Sequence, residues 1–153
     1  MTYGLSDQRV ESLLDCLDGS GSDTEWDAVN ILRDGLGQAL PILLLHRFLV
    51  AKKWGHRASL VYHAVRFAKQ SQEAVDLGLI AVKDKSKVVR YRGCMLLACS
   101  LRKDIVPKLC QLAGEAPEDT KADILAAIDA IEHDNQNYFI DREHTGLTEL
   151  KVS

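Results

Sequence analysis

Several familiar signals are missing from this sequence, and each absence narrows the range of functions. The four cysteines form no Cys-x-x-Cys pair, and neither a Gly-x-Ser-x-Gly elbow nor a Gly-rich phosphate loop is present. The longest apolar run, Ala39 to Leu45, is too short to span a bilayer, and residues 1–10 lack the pattern of an export signal. We therefore expect a cytoplasmic, non-enzymatic protein with reduced thiols, no membrane segment, no cofactor and no metal.

Strand-like alternation is also absent before residue 137, and the chain has only three prolines. Pro41 and Pro107 fall where the first turns of helices would lie, and this position tolerates proline. A hydrophobic content of 46% and a charged content of 27% are ordinary for a folded chain of 153 residues. The sequence therefore predicts one all-α domain over residues 1–153.

The run from Val88 to Leu101 has almost no polar residue after Arg92 and predicts a helix buried on nearly every side. Such a helix needs neighbours on both flanks, and the small residues Gly93, Cys94 and Ala98 allow close approach. Around it we expect a helix pair in residues 1–37, three pairs in residues 38–136 and a tail over 137–153. The tail pattern, with Gly146 in its turn, predicts a short β-hairpin.

An internal period of 33 residues relates Arg57, Arg90 and Asp123, each near the start of the second helix of a predicted pair. In the clearest pair, Asp84 lies in the turn and Val89-Arg90 opens a helix rich in small residues. This arrangement closely resembles the HEAT repeat. The resemblance implies an α-α superhelix of about four antiparallel helix pairs, with Asp84 and Arg90 in a ladder between neighbours. The ladder is incomplete, because Ala51 and Asp123 replace an expected Asp and Arg.

A second resemblance rests on Asp84-Lys-Ser86, Val89-Arg-Tyr-Arg92, Leu96-Leu-Ala98 and the tail from Asn137 to Gly146. This set is similar to small bacterial HEAT-like proteins of unassigned function. Some proteins of that kind are suspected to be immunity partners of polymorphic toxins. The resemblance implies a protein-binding role with a toxin as partner.

Charge is strongly segregated along the chain. Residues 35–113 hold fourteen bases and four acids, whereas residues 1–34 carry a net charge of −6 and residues 114–153 a net charge of −7. Solvated helix faces carry charges in any protein, and we give that explanation equal weight. The alternative is a basic surface that orients a charged partner. Because the second helices of stacked pairs commonly line a concave binding face, we expect Arg57, His63, Arg66 and Arg92 there.

Three functions remain open at the level of sequence. The favoured one is a non-catalytic protein-binding module, such as an immunity protein that neutralises a toxin. The second is nucleic-acid binding through the basic middle, as in HEAT-like alkylpurine glycosylases. The third is a helper of another enzyme, similar to HEAT-like bilin lyases.

No metal site is predicted from the sequence. His56 and His63 lie seven residues apart on one helix face, but no carboxylate lies at the spacing that would complete a site. The Glu-His steps at 132–133 and 143–144 do not match the His-Glu dyads of HEAT-fold di-iron hydroxylases.

Overall fold

A computed structural model describes residues 4–152; residues 1–3 and 153 lie outside that range. The described chain is all-helical, as the sequence predicts, and holds no β-strand between residues 4 and 152. Four short 3-10 turns lie at Gly37–Ala39, Val65–Phe67, Lys103–Ile105 and Gln136–Phe139. The eight α-helices are α1 (Asp7–Asp15), α2 (Asp23–Leu36), α3 (Leu40–Val50), α4 (Trp54–Ala64), α5 (Gln72–Ala81), α6 (Lys87–Ser100), α7 (Val106–Glu115) and α8 (Glu118–Glu132).

Serine hydroxyls begin half of these helices. Ser6, Ser22, Ser71 and Ser86 each accept a hydrogen bond from the backbone N–H three residues later, which satisfies one of the free donors of a first turn. The cap of α2 is therefore Ser22.

The start of α4 is formed by Trp54 and Gly55. Gly55 packs against the turn between α1 and α2, where a Cβ on Gly19 would lie only 2.5 Å from the Gly55 carbonyl oxygen. Two glycines are thus needed at this contact. The close approach fixes the start of α4 three residues before Arg57.

Consecutive helices pack in pairs, α1 with α2, α3 with α4, α5 with α6 and α7 with α8. The helices α4, α6 and α8 also contact one another in a row, and α3 contacts α5. The central helix is α6, and a Cβ on its Gly93 would lie 2.9 Å from the Cβ of Ala81 and 3.0 Å from the Val82 nitrogen. Gly93 therefore allows α5 and α6 to approach closely, as the sequence suggested.

Two hydrophobic clusters form the core. One is centred on α2, α3 and α4, and the other on α6, α7 and α8. Met95 on α6 and Leu150 in the tail pack against both clusters. The tail is therefore attached to the core and is part of the fold.

The β-hairpin expected over residues 137–153 is not seen in the part of the tail that the structure describes. The buried carboxylate of Asp141 accepts hydrogen bonds from the Thr145 N–H and hydroxyl (both 2.9 Å) and from the Gly146 N–H (2.8 Å). A side chain thus takes the backbone donors that a strand ladder would need. The Asn137 side chain accepts from the Leu150 N–H at 2.8 Å and holds the end of the loop.

By length and composition, Asp23–Val50 could cross a membrane, being 28 helical residues near the N-terminus. This stretch consists of α2, the turn at Gly37–Ala39 and α3, and Leu32, Leu40 and Leu44 from it are completely buried in the core. A buried core helix passes the same test. Length and composition alone therefore do not indicate that this stretch spans a membrane.

Candidate interaction surface

Arg57 lies in the first turn of α4 and is engaged within the fold. Its Nε donates to Asp84 Oδ1 at 2.8 Å and its Nη2 to Asp84 Oδ2 at 3.1 Å. Its Nη1 donates to the carbonyls of Ala51 and Lys52, six and five residues earlier in the chain. With all three nitrogens occupied, Arg57 has little capacity left for a partner, contrary to its expected place on a free binding face.

Arg90 occupies the equivalent position in α6 and makes the same two bonds to backbone carbonyls, but its Nε has a different partner. Its Nη1 donates to the carbonyls of Asp84 and Lys85, again six and five residues earlier, both at 2.9 Å. Its Nε donates to Thr120 Oγ1 at 2.7 Å, at the start of α8. Arg90 therefore contacts the Asp84 carbonyl, while the Asp84 carboxylate bonds Arg57 of the preceding pair.

Asp123 holds the third position of the 33-residue period and accepts from Arg142 of the tail at 3.0 Å. The same guanidinium donates from Nε to the Phe139 carbonyl at 2.9 Å, and Phe139 itself is fully buried. The three positions related by the period thus connect successive helix pairs and then the tail.

His63 lies in the interior, with 2% of its surface exposed, which corrects its expected place on an open face. Its Nε2 lies 2.8 Å from Oε2 of Glu25 on α2, an oxygen that also accepts from the Ser59 hydroxyl at 2.6 Å. The other carboxylate oxygen accepts from the Gly21 N–H at 2.9 Å. Two segments that are far apart in sequence are thereby joined by a buried polar network.

The pKa shifts define the charge state of this network. Burial raises the pKa of Glu25, but the hydrogen bonds from Ser59, Gly21 and His63 outweigh it, so that the net pKa is lowered. Burial lowers the pKa of His63 and outweighs the attraction of Glu25. Glu25 is therefore ionised and a neutral His63 donates from Nε2, which leaves the buried Nδ1 without a hydrogen-bond partner.

Arg66 and Arg92 are the remaining predicted partner-binding residues, and neither makes an ion pair with a carboxylate among the described residues. Arg66 is exposed beside a polar cavity of about 340 Å³, across which lies Arg33. Arg92 is half-buried, because its guanidinium lies 5.1 Å from the ring centre of Tyr62 and donates to the Ala58 carbonyl at 3.0 Å. Burial and the nearby charge of Arg66 lower the pKa of Arg33. We call Arg33 on α2, Arg66 in the turn Val65–Phe67 and Arg92 on α6 the arginine face, and the acid Asp34 also lines the cavity beside Arg66.

Folding neutralises part of the basic middle with acids from the two ends. Arg47 pairs with Glu11 and Asp15 of α1, and Lys103 pairs with Asp134 at 2.6 Å. A block of charge in the sequence is therefore not a surface of the same charge. Among the described residues, the bases of the middle segment that make no ion pair with a carboxylate are Lys52, Lys53, Arg66, Lys69, Lys83, Lys85, Arg92 and Lys108.

Three of these free lysines surround an apolar groove, which we call the lysine-rimmed groove. Its volume is about 420 Å³, and its apolar lining comes from α3 and α5. Ile80 is 40% exposed there, and the adjoining α3 residue Leu49 is 60% exposed. The groove is lined by Phe48, Leu79, Ile80, Lys83, Asp84, Lys85 and Lys108. Asp84, the one acid in this lining, already bonds Arg57 and the Ser86 N–H.

Comparison with protein-family models, with curated proteins and with solved structures found no match. Function must therefore be inferred from the residues of this chain. Sequence reasoning missed the lysine-rimmed groove, because its lysines come from two segments far apart in the chain: Lys83 and Lys85 from the turn between α5 and α6, and Lys108 from α7. It also missed Glu25, although Ser22-x-x-Glu25 has the spacing of a capping box, which places a glutamate side chain beside the helix start.

Proposed function

We propose that the protein is a non-catalytic binding module that holds an acidic segment of a partner protein in the lysine-rimmed groove. The observation that carries this proposal is the arrangement of Lys83, Lys85 and Lys108, none paired with a carboxylate in the described chain, around an apolar floor. Protein interfaces commonly combine an apolar centre with a polar, charged rim. A partner that supplies carboxylates at the rim and an apolar anchor at the centre matches this groove.

The architecture that we propose for this role is a HEAT-like superhelix. Arg57 and Arg90 bond carbonyls at the same two offsets, and they lie one period apart in the chain. The contacts among α4, α6 and α8 and between α3 and α5 suit stacked helix pairs. Such stacks present extended surfaces to partners.

The resemblance to small bacterial HEAT-like proteins makes a toxin with an acidic surface the first class of partner to test. We propose that the protein binds this partner in the cytoplasm. The nucleic-acid alternative draws support from the exposed Arg66 and its neighbour Arg33. Against it, the ring of Tyr62 is covered by Arg92 and is not open for base stacking. This alternative can be tested, because binding through phosphate contacts makes the affinity fall steeply with salt concentration.

The test begins by isolating and identifying the partner from the source cell with the tagged full-length chain. Its affinity is then measured for the parent and for a double variant, Lys83→Glu with Lys85→Glu. Because charge reversal places like charges against an acidic partner, we expect binding to weaken by roughly tenfold or more. Lys69→Glu is the matched control, since Lys69 is equally exposed and free but lies outside the groove.

Arg66→Glu distinguishes the two basic surfaces. Selective loss of affinity in this variant, with the groove variant unchanged, would move the binding surface to the arginine face and overturn the groove. If DNA or RNA binds the parent with a steep salt slope and no protein partner binds it, the protein-binding proposal fails. Circular dichroism melts of all variants show that the fold is retained.

A further inference from the structure

The end of α8 and the tail bring together three side chains that have no part in the groove. Asp129 and His133 lie one turn apart on α8, and His144 comes from the loop that follows. One ligand atom from each residue lies within 4.8 Å of the other two. Asp129 is half-buried, and both histidines are exposed.

The Asp129 carboxylate contacts both imidazoles. Oδ2 lies 2.5 Å from His144 Nε2, and Oδ1 lies 3.1 Å from His133 Nδ1. Two imidazole nitrogens with one carboxylate oxygen are a common donor set for zinc and related transition metals, and three protein ligands leave a position for water. Ligand atoms around a tetrahedral zinc ion at 2.0–2.1 Å are separated by about 3.4 Å. Small rotations of the three side chains would therefore accommodate an ion.

The surroundings hold the tail histidine in place. The ring of Tyr138 stacks on His144, with centres 3.8 Å apart and planes only 9° from parallel. The same tyrosine contacts the edge of His133, with ring centres 5.5 Å apart. The Asp141 carboxylate fixes the loop just beyond through the Thr145 and Gly146 N–H groups. The histidines are thus positioned by packing and hydrogen bonds that do not depend on an ion.

The local charge also favours a cation. Glu132, Asp134 and Glu143 adjoin the two histidines in sequence and are exposed. Of the bases in this region, Lys103 pairs with Asp134 and Arg142 pairs with Asp123. A divalent ion at this point would therefore meet a net negative surface.

We propose that Asp129, His133 and His144 bind one first-row divalent transition-metal ion, with Zn²⁺ as the probe, and that the ion fastens the tail to α8. Imidazole ligands select zinc, cobalt, nickel or copper over Mg²⁺ and Ca²⁺, which prefer oxygen alone. The ion would add a bond between α8 and the loop at residue 144, next to the existing bond between Asn137 and Leu150. Its role is to hold the tail, independently of partner binding in the groove.

The test uses untagged full-length protein that has been stripped with a chelator, on a Cys110→Ser background, because Cys110 is exposed and could itself bind zinc. Titration calorimetry should show one Zn²⁺ per chain. His144→Ala and Asp129→Asn should each weaken binding by tenfold or more, whereas Mg²⁺ should not bind. His46→Ala is the control, since His46 is exposed on α3 and should leave Zn²⁺ binding unchanged.

A second readout follows the tail directly. In hydrogen exchange, Zn²⁺ should slow the amides of residues 141–150 in the background protein and have no effect in His133→Ala. Equal Zn²⁺ affinity in His144→Ala and its background would overturn the site. Binding without slower exchange in the tail would overturn the fastening role. Circular dichroism confirms that each variant is folded before either measurement.

Discussion

Arg57 and Asp84 are 27 residues apart in the chain and are joined by two parallel hydrogen bonds. The pair connects the first turn of α4 to the turn between α5 and α6, and only 12% and 9% of the two side chains are exposed. A bidentate guanidinium–carboxylate pair restricts both distance and orientation. It therefore sets how one helix pair lies against the next.

Asp84→Ala should destabilise the fold by about 3 kcal/mol, because it leaves a largely buried guanidinium without its anion. Urea unfolding followed by circular dichroism gives the free energy of unfolding. Asp104→Ala is the matched control, since Asp104 also makes a bidentate pair, with Arg102, but lies in solvent. An equal decrease in the free energy of unfolding in the two variants would show that the buried pair stabilises the fold no more than the exposed pair does.

Gly93→Ala should destabilise the fold by about 1–3 kcal/mol, because the new methyl group meets the backbone of α5 as well as Ala81. Thermal and urea unfolding measure the loss. Gly114→Ala in α7 is the control, since nothing lies within 4 Å of its added Cβ. That variant should gain roughly 0.5–1 kcal/mol from helix propensity. A destabilised Gly114→Ala with an unchanged Gly93→Ala would contradict this packing.

The buried pair of Glu25 and His63 should make stability depend on pH. Burial lowers the pKa of His63, so that between its folded pKa and about 6.5 the unfolded chain binds more protons than the folded chain. The stability from neutral His63 is therefore present above about pH 6.5 and is lost as pH falls through the folded pKa. Despite burial, hydrogen bonds lower the pKa of Glu25, whose contribution is lost at still lower pH, below about 4.3.

Urea unfolding from pH 8 to pH 5 should show this decline in the parent and a smaller one in His63→Gln, which keeps a donor for Glu25 but does not titrate. His46→Gln is the control and should retain the decline of the parent, because His46 is exposed. Parallel curves for the parent and His63→Gln would mean that other groups cause the pH dependence.

The cysteines should differ sharply in reactivity. Burial raises the pKa of Cys94 to about 12 and that of Cys99 to about 11, so neither thiol forms the reactive thiolate near neutral pH. Cys110 is exposed. Iodoacetamide at pH 7.5 should therefore label Cys110 in the folded protein and reach Cys94 and Cys99 only in denaturant. Labelling of Cys94 at the rate of Cys110, read by mass spectrometry, would contradict the packing of α6.

Local signals in the sequence were enough to predict the all-helical character of the described chain. Hydrophobic spacing marked α6, and proline in a first turn marked α3 and α7. The β-hairpin predicted for the tail was wrong for a specific reason. The Asp141 carboxylate accepts hydrogen bonds from the Thr145 and Gly146 N–H groups, which a hairpin would need for pairing between strands.

The surfaces were harder to predict, because side-chain partners far apart in sequence decide which charges remain free. His63 is placed on a polar face by helical spacing, yet Glu25, 38 residues earlier, accepts its hydrogen bond in the interior. Likewise, the period identified Arg57 as a repeated position but could not show that its guanidinium pairs with the Asp84 carboxylate. Lys83 and Lys108, in contrast, make no ion pair with any acid in the described part of either end of the chain.

The contact between Arg142 and Asp123 has a consequence for self-association. In a stack of repeated units, an uncovered outer helix offers a template on which another molecule can add, and growth can continue without limit. Here Arg142 of the tail pairs with Asp123, the repeated position on α8, and Phe139 is buried in the adjoining apolar core. In the proposed stack of helix pairs, the tail would close the end at α8, so that a change that frees Asp123 is expected to promote polymerisation.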